Sequence, residues 1–267
     1  MIVDRIYEYL NEEGKTIDEA ILEEVTKRFE RVVIRQLMQD REEKPDRLYV
    51  TRFSHPCARK GAYAYHAFEA EQLAPWAKLN FLIGDAVELA VMAMAKLAGC
   101  DIGLSQDRVG LEIDGVTVSG YIDGLFSDGK DLYVAEFKKM SAFAFKRVET
   151  QGITDEWGYV SQVHAYMKAL DLERSIFVIL DGQTGALNER VVEFDPAVWK
   201  AMEERGKAIL KSTPEELPPR AFEPERATNG KMELELRCRY CQHKRHCWPE
   251  AQLVLRHNKP FWFVELQ

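Results

Sequence analysis

Two carboxylates and a lysine in the middle of the chain have the types and the spacing of a divalent-metal site. They are Asp123, Glu136 and Lys138. Carboxylate pairs bind hard cations such as Mg²⁺ or Mn²⁺, which prefer oxygen ligands. A nearby lysine could steady an attacking water or a charged phosphate. The alternative is a solvated strand face, because such triplets are common by chance, so the elements that position these side chains matter.

The segment 116–137 predicts a β-hairpin that brings the three side chains together. Its two halves alternate between apolar and polar residues, and Asp128-Gly129 between them is typical of a two-residue turn. This turn would place Asp123 opposite Val134. Because side chains alternate along a strand, Asp123 and Glu136 would share one face as diagonal neighbours, roughly 7–8 Å apart. A turn with an odd number of residues would put Glu136 on the other face.

The composition is that of a soluble globular protein with one large domain or two small ones. The chain has 267 residues, of which 46% are hydrophobic and 30% are charged. It has no apolar run long enough for a membrane span and no secretory signal, so we expect an intracellular, cytoplasmic protein without membrane contact. The net charge of −8 counts against a broad nucleic-acid-binding surface but allows a narrow basic channel.

The periodicity of the remaining chain predicts a mixture of helices and strands. Helical spacing covers residues 4–39, 78–98 and 155–170, and strands are expected at 108–113 and 174–181. We therefore expect an α/β protein.

Two acids lie inside the second of these predicted helices. Asp85 and Glu88 stand among largely apolar residues. A carboxylate on a mostly buried helix needs a partner or a metal, and the alternative is that both face solvent. Further along, Asp114-Gly115 predicts a second hairpin turn.

Two further segments have side chains suited to a nucleic acid. Gln162 and Tyr166 are one helical turn apart, so they share a face and could contact a substrate, orient a metal ligand or simply form helix surface. Residues 138–147 combine four basic side chains with two phenylalanines and no acid. That composition suits a phosphate backbone and its bases, or an exposed amphipathic segment.

The C-terminal cysteines have the spacing of a metal site. Cys238, Cys241 and Cys247 form a C-x₂-C-x₅-C pattern, which in a reducing compartment indicates metal ligands rather than disulfides. A closed tetrahedral site needs a fourth ligand, which could be Cys57 or a nearby histidine. Four thiolates would suit either zinc or an iron–sulfur cluster.

Taken in order, these features resemble the RecB-like nucleases of the PD-(D/E)XK superfamily. The order is Cys57, Gly84-x₃-Glu88, Asp123, Glu136-x-Lys138, Gln162-x₃-Tyr166 and Cys238-x₂-Cys241-x₅-Cys247. More narrowly, the chain is similar to the branch with four cysteines, which includes the CRISPR-associated exonucleases and the AddB nuclease domain. The resemblance runs from about residue 48 to residue 250.

This resemblance implies a restriction-endonuclease-like fold of the α/β (α+β) class. A central mixed β-sheet would be flanked by helices, and a four-cysteine metal cluster would join the N- and C-terminal segments. The expected divisions are a helical segment at 1–45, a RecB-like nuclease domain with its iron–sulfur cluster at 46–250, and a tail at 251–267.

The resemblance also implies roles for single residues. Asp123, Glu136 and the Phe137 carbonyl would bind the catalytic Mg²⁺ or Mn²⁺, and Lys138 would position or activate the water. Many relatives carry histidine where this chain has Glu88, and related phage-type exonucleases carry glutamate there. Glu88 would then be a third carboxylate ligand of the same metal and part of the catalytic set.

The remaining implied roles concern the substrate and the cysteines. Gln162 and Tyr166 would contact DNA or support the site. A 4Fe–4S cluster, with zinc as the alternative, would be held by Cys57, Cys238, Cys241 and Cys247.

The activity implied is that of a metal-dependent DNA exonuclease. Such an enzyme would hydrolyse phosphodiester bonds in single-stranded DNA or at linear ends. A protein partner in a recombination, repair or CRISPR complex is compatible with this activity. One alternative is a structure-specific endonuclease with the same residues. Another is a non-catalytic, zinc-containing DNA-binding or adaptor protein.

Overall fold

The computed structural model describes residues 1–38, 44–103, 107–227, 231–256 and 259–264. It shows a mixed α/β protein in which helices flank a central mixed sheet, as the sequence predicts. No helix within these described ranges is both long and apolar enough to span a bilayer.

The elements are as follows. The helices are α1 Ile2–Asn11, α2 Glu19–Met38, α3 Val50–Ser54, α4 Ala58–Tyr65, α5 Pro75–Leu97, α6 Ala142–Gln151, α7 Tyr159–Leu170, α8 Pro196–Lys211, α9 Leu236–Arg239 and α10 Lys244–Cys247. The strands are β1 Asp101–Gly103, β2 Arg108–Ile113, β3 Val116–Tyr121, β4 Gly124–Ser127, β5 Leu132–Met140, β6 Arg174–Asp181, β7 Leu187–Glu193, β8 Glu225–Arg226, β9 Met232–Glu233, β10 Gln252–Arg256 and β11 Lys259–Val264.

The central sheet has five strands in the order β1-β4-β5-β6-β7. β5 and β6 are parallel, and the other neighbours are antiparallel. Parallel neighbours need a crossover connection, which here contains α6 and α7. The predicted strand at 174–181 is confirmed as β6, and the predicted helices at 78–98 and 155–170 correspond to α5 and α7.

The alternation of side chains along β5 divides the core into two layers. Ala135 and Phe137 pack in a cluster with residues of α1 and α5, whereas Val134 packs in a second cluster with residues of α7 and α8. Glu136 alternates with Ala135 and Phe137, so it lies on the side of Val134. A strand buried on both faces thereby carries one acid into the α7 layer.

The predicted hairpin at 116–137 is wrong in its first strand. β3 pairs with β2 through the turn at Asp114-Gly115, which confirms the second hairpin signal, and the chain then breaks at residues 122–123. The partner of β5 is β4, with Gly124 opposite Ala135 and Ser127 opposite Leu132. The connection therefore has four residues, not two.

The wider turn has a local cause. The Asp128 carboxylate accepts hydrogen bonds from the backbone N–H groups of Lys130 and Asp131, both at 2.9 Å. This closes a four-residue loop in place of the two-residue turn. The pairing of Asp123 with Val134 is wrong by two positions, but an even number keeps Asp123 on the face of Glu136.

The predicted N-terminal helix at 4–39 is two helices, α1 and α2. The chain between them contains Gly14 in a left-handed conformation, with φ of 68°. α1 buries Ile2, Val3 and Ile6 against the central sheet, whereas α2 has no fully buried residue and lies along α5. Residues 39–43 of the predicted helical segment lie outside the described residues.

The C-terminal part forms a second sheet, in the order β10-β11-β9-β8. Its buried side chains include Leu234, Trp248 and Trp262, and they pack against Cys238 and Cys247. The predicted tail at 251–267 thus contributes β10 and β11, and its residues 257–258 and 265–267 lie outside the described part of the chain.

A close backbone contact joins the start of α7 to the segment before Cys57. Gly158 has φ of +85°, and a Cβ atom there would lie 2.6 Å from the Ser54 carbonyl oxygen. Arg205 ties the two segments together, because its guanidinium donates to the Ser54 carbonyl oxygen at 3.4 Å and to Ser161 Oγ at 2.8 Å. Only glycine fits at position 158 without moving one of the two segments.

We expect Gly158→Ala to destabilise the protein more than Gly99→Ala. Both glycines have positive φ, of +85° and +74°, but a Cβ at Gly99 would meet nothing within 4 Å. Both variants therefore carry backbone strain, and Gly158→Ala adds the clash, which costs about 1–3 kcal/mol. Denaturant unfolding measures the difference, and equal losses in the two variants would contradict the contact.

Candidate active site

β5 places a lysine and a glutamate side by side in the α7 layer of the core. Glu136 is 1% exposed, and its Oε1 lies 2.8 Å from Lys138 Nζ. The two residues are two positions apart on one strand and so share a face. A buried carboxylate is stable here because a cation accompanies it.

The ammonium group of Lys138 lies among three carboxylates. Lys138 Nζ is 3.6 Å from Glu88 Oε1 and 3.7 Å from Asp123 Oδ2, in addition to the 2.8 Å contact with Glu136. It also donates to the Phe137 carbonyl oxygen at 3.0 Å. The structure thus brings together every residue that the sequence assigned to the catalytic metal, around one positive charge.

Asp123 and Glu88 reach this point from different elements. Asp123 occupies the break between β3 and β4, where its Oδ2 accepts from the Phe137 N–H at 3.0 Å. Glu88 lies on α5. Its neighbour Asp85 faces α2 instead, where it pairs with Arg35 at 3.0 Å and Gln36 at 2.7 Å. The two acids of α5 therefore have different roles.

The pKa values show how strongly these groups interact. Burial, followed by the charge of Asp123, raises the pKa of Glu136 to about 8. Burial raises the pKa of Glu88 to about 7, although Lys138 opposes the shift. Burial alone would lower the pKa of Lys138, but the surrounding carboxylates raise it well above its usual value. Burial therefore disfavours the state in which all three carboxylates are ionised, because their charge would exceed that of the single lysine.

α7 supports the site from the side. Gln162 Nε2 lies 3.4 Å from Glu136 Oε1 and 3.1 Å from the Tyr166 hydroxyl. Tyr166 is 1% exposed, and its hydroxyl is the partner of Gln162 beside Glu136. Sequence reasoning missed Tyr159, whose ring centroid is 5.8 Å from Lys138 Nζ. Its position three residues before Gln162, on the same helical face, was the available signal.

The basic segment 138–147 forms the end of β5 and the start of α6. Phe145 is buried, whereas Phe143 is 80% exposed in the first turn of the helix. Lys146 pairs with Glu149 at 3.2 Å, and Arg147 pairs with Glu156 at 2.7 Å. The exposed aromatic side chain thus follows Lys138 by five positions in the sequence.

Four of the five cysteines line one cavity. They are Cys57, which precedes α4, and the three cysteines of the α9–α10 segment, Cys238, Cys241 and Cys247. Four basic side chains line the same cavity, namely Arg59, Lys60, Arg237 and Lys244. Burial, and the nearby thiols of Cys57 and Cys247, raise the pKa of Cys238 to about 12.

Neither site is preformed around a metal. Among the described residues, no group of three or more His, Cys, Asp or Glu side chains is arranged so that it could hold a metal ion. At the carboxylates, the Lys138 ammonium lies where the three acids converge.

Of the comparisons with known proteins, only the comparison with solved structures finds similar proteins. No protein-family model and no curated protein matches the chain. The structure of SSO0001 is 15% identical and covers 80% of this chain and 93% of its own, with a TM-score of 0.50. At this identity the similarity shows a shared fold.

Two more distant structures are described as exonucleases. The alkaline exonuclease LHK-Exo from Laribacter hongkongensis is 17% identical and covers 61% of this chain and 86% of its own, with a TM-score of 0.45. A phage-related exonuclease from Haemophilus somnus 129PT is 17% identical and covers 58% and 78%, with a TM-score of 0.35.

We expect Mn²⁺ to stabilise the protein more at about pH 9 than at about pH 6, because Glu88 and Glu136 must lose protons before they bind a cation. Their pKa values rise from 4.5 to about 7 and about 8 on folding. Without metal, the folded state binds more protons in this range, so stability falls as pH rises. Thermal unfolding with and without Mn²⁺ tests this.

The matched control is Glu149→Gln, which removes an acid of α6 outside the site. It should keep the pH dependence of the Mn²⁺ effect, whereas Glu136→Gln should lose most of it. An Mn²⁺ effect of equal size at both pH values in the wild-type protein would contradict the assignment.

Proposed function

We propose that this protein is a metal-dependent deoxyribonuclease that hydrolyses phosphodiester bonds. The observation that carries the proposal is the convergence of Glu88, Asp123 and Glu136 on one buried ammonium group, with each carboxylate within 3.7 Å of Lys138 Nζ. Three acids and a lysine in one partly buried cluster are more than a structural ion pair requires.

The donor set fits a hard divalent cation. Three carboxylates and the Phe137 carbonyl are oxygen ligands of the kind that Mg²⁺ and Mn²⁺ prefer. Glu136 Oε2 is buried and has no hydrogen-bond partner within the described part of the chain, so it is an acceptor that a cation would satisfy. When bound, such a cation polarises a phosphoryl oxygen and lowers the pKa of a bound water.

The residues of the chain supply orientation and charge. The Phe137 N–H holds Asp123, and Gln162 holds Glu136, so both carboxylates are fixed before a substrate arrives. Lys138 contributes the positive charge that stabilises negative charge developing on the phosphate in the transition state. Burial on two sides limits competing water and strengthens these interactions.

We propose single-stranded DNA or linear DNA ends as the substrate, and exonucleolytic cleavage as the mode. Phe143 offers an exposed ring for a base, and Lys138 and Lys139 of β5 precede it in the chain. An endonuclease would also cut circular DNA, and a non-catalytic adaptor would cut neither form.

For the four cysteines we propose a structural 4Fe–4S cluster. Their convergence on one cavity, surrounded by basic side chains, fits a group that carries several thiolates. Because Cys57 is far in sequence from the other three, such a group would join the two ends of the domain and contribute folding energy. Zinc is the alternative.

We expect Glu136→Gln to lower the rate of DNA cleavage by about 100-fold or more, because it removes a fixed charge from the centre of the site. The measurement is degradation of end-labelled linear single-stranded DNA with Mg²⁺ or Mn²⁺. Glu149→Gln should retain the wild-type rate. Equal rates for wild type and Glu136→Gln would refute the proposed active site, and cleavage of circular DNA would refute the exonuclease mode.

We expect Cys241→Ser to lose bound metal and to unfold at a lower temperature than Cys100→Ser. Cys100 is buried among residues of α1 and α5, away from the other cysteines, so its variant controls for the loss of a buried thiol. Elemental analysis and thermal unfolding of anaerobically purified protein measure both effects. Unchanged metal content in Cys241→Ser would rule out this cysteine as a ligand.

A further inference from the structure

Two buried N–H donors beside the cysteine cavity have no acceptor. His55 and Trp248 line the cavity and are only 6% and 4% exposed. The atoms His55 Nε2 and Trp248 Nε1 are buried and have no hydrogen-bond partner within the described part of the chain. Buried polar groups in native proteins are nearly always paired, so each of these atoms indicates a missing partner.

The hydrogen bonding of His55 fixes its Nε2 atom as a donor. The backbone N–H of Cys57 donates to His55 Nδ1 at 3.1 Å. In the neutral imidazole one ring nitrogen accepts and the other carries the proton, so the proton is on Nε2. The indole nitrogen of Trp248 can only donate. Both unpaired atoms therefore require an acceptor.

The four thiols do not supply that acceptor. Neither N–H group is hydrogen-bonded to a cysteine sulfur. This holds although Cys247 directly precedes Trp248 and Cys57 is two positions after His55. A single zinc ion would add no acceptor atom to the cavity. An iron–sulfur cluster would add inorganic sulfide atoms, which accept hydrogen bonds and lie inside the ring of cysteines.

We propose that His55 and Trp248 donate hydrogen bonds to sulfur atoms of an iron–sulfur cluster held by the four cysteines, and that they raise its reduction potential. This rests on the cluster assignment in the proposed function. Reduction adds one electron to the cluster from an external reductant, and no bond in the protein breaks. N–H donors stabilise the more negative, reduced form, so their loss makes reduction harder.

Paired variants separate the effect of losing the N–H donor from the effect of altered side-chain packing. His55→Asn keeps an acceptor near the Nδ1 position for the Cys57 N–H but removes the distal donor, whereas His55→Gln keeps an N–H group at the distal position. Trp248→Phe removes the indole donor. Trp262→Phe is its matched control, because Trp262 packs in the same apolar cluster as Trp248 but does not line the cavity.

The experiment measures the midpoint potential by dithionite titration of anaerobically purified protein, followed by EPR, together with iron and sulfide content. We expect His55→Asn and Trp248→Phe each to shift the equilibrium about tenfold against reduction, which is about 59 mV for one electron. His55→Gln and Trp262→Phe should stay close to wild type, and all variants should keep iron and sulfide.

A measurement on the wild-type protein alone guards against variants that fail to hold the cluster. Resonance Raman bands of the iron–sulfur modes should shift when the protein is transferred to D₂O, because exchangeable N–H groups contact sulfur. Unshifted bands would overturn the proposal, as would unchanged potentials in both donor variants.

The outcomes also separate this proposal from the proposed function. Wild-type protein that contains zinc without iron or sulfide would overturn both the donor proposal and the cluster assignment, while cleavage of DNA would still stand on its own assay. Iron and sulfide with unaltered potentials would overturn the donor proposal alone.

Discussion

Lys138, which lies among three carboxylates, provides the positive charge that allows β5 to carry a buried acid. Glu136 is almost fully buried, and a buried carboxylate without a cation would be severely destabilising. The strand that carries both residues is buried on both faces and lies at the centre of the sheet. The other two acids must therefore be brought to β5 by the elements around it.

Three elements around β5 complete the cluster, and two of them each contribute an acid. The chain leaves β3 and breaks at Asp123, so that its carboxylate can accept from the backbone of β5. α5 lies across the sheet and contributes Glu88, while Arg35 and Gln36 of α2 neutralise its second acid. α7 contributes Gln162 and the aromatic side chains of Tyr159 and Tyr166. Once Glu88 and Glu136 have lost their protons, the charge of the three carboxylates exceeds that of Lys138, and this excess favours a second cation.

The cysteine region contacts the start of α7, the helix that supports the candidate active site. The segment that ends at Cys57 packs its backbone against Gly158, at the entrance to α7, and Arg205 bonds to both segments. On the other side, the Tyr240 ring of the cysteine segment contacts Trp157 with ring centroids 6.2 Å apart. The segments that carry the cysteines therefore also support α7, the helix that carries Tyr159 and Gln162.

Part of this arrangement could be predicted from sequence, because it depends on local periodicity. The strand at 174–181 and the turn at Asp114-Gly115 have strong local signals, and both are present in the structure. The shared face of Asp123 and Glu136 was predicted from a wrong register. The shared face is nevertheless kept, because the real turn differs from the expected one by an even number of residues.

Other features depend on contacts that periodicity does not encode. The change of strand partner from β2 to β5 at Asp123 depends on pairing between segments, which the residue types of 116–127 do not specify. The wider turn follows from hydrogen bonds of the Asp128 side chain, and the convergence of Glu88 with β5 follows from the packing of α5. A local side chain thus decides the turn, whereas tertiary contacts decide the strand partner and the position of Glu88.

The position of Mn²⁺ in crystals soaked with MnCl₂, located by anomalous scattering, tests whether the three carboxylates bind a divalent cation. We expect a peak within bonding distance of Asp123 and Glu136, with the Lys138 ammonium moved away from the centre of the three carboxylates. A saturating soak that leaves the ammonium in place and gives no peak among Glu88, Asp123 and Glu136 would contradict it.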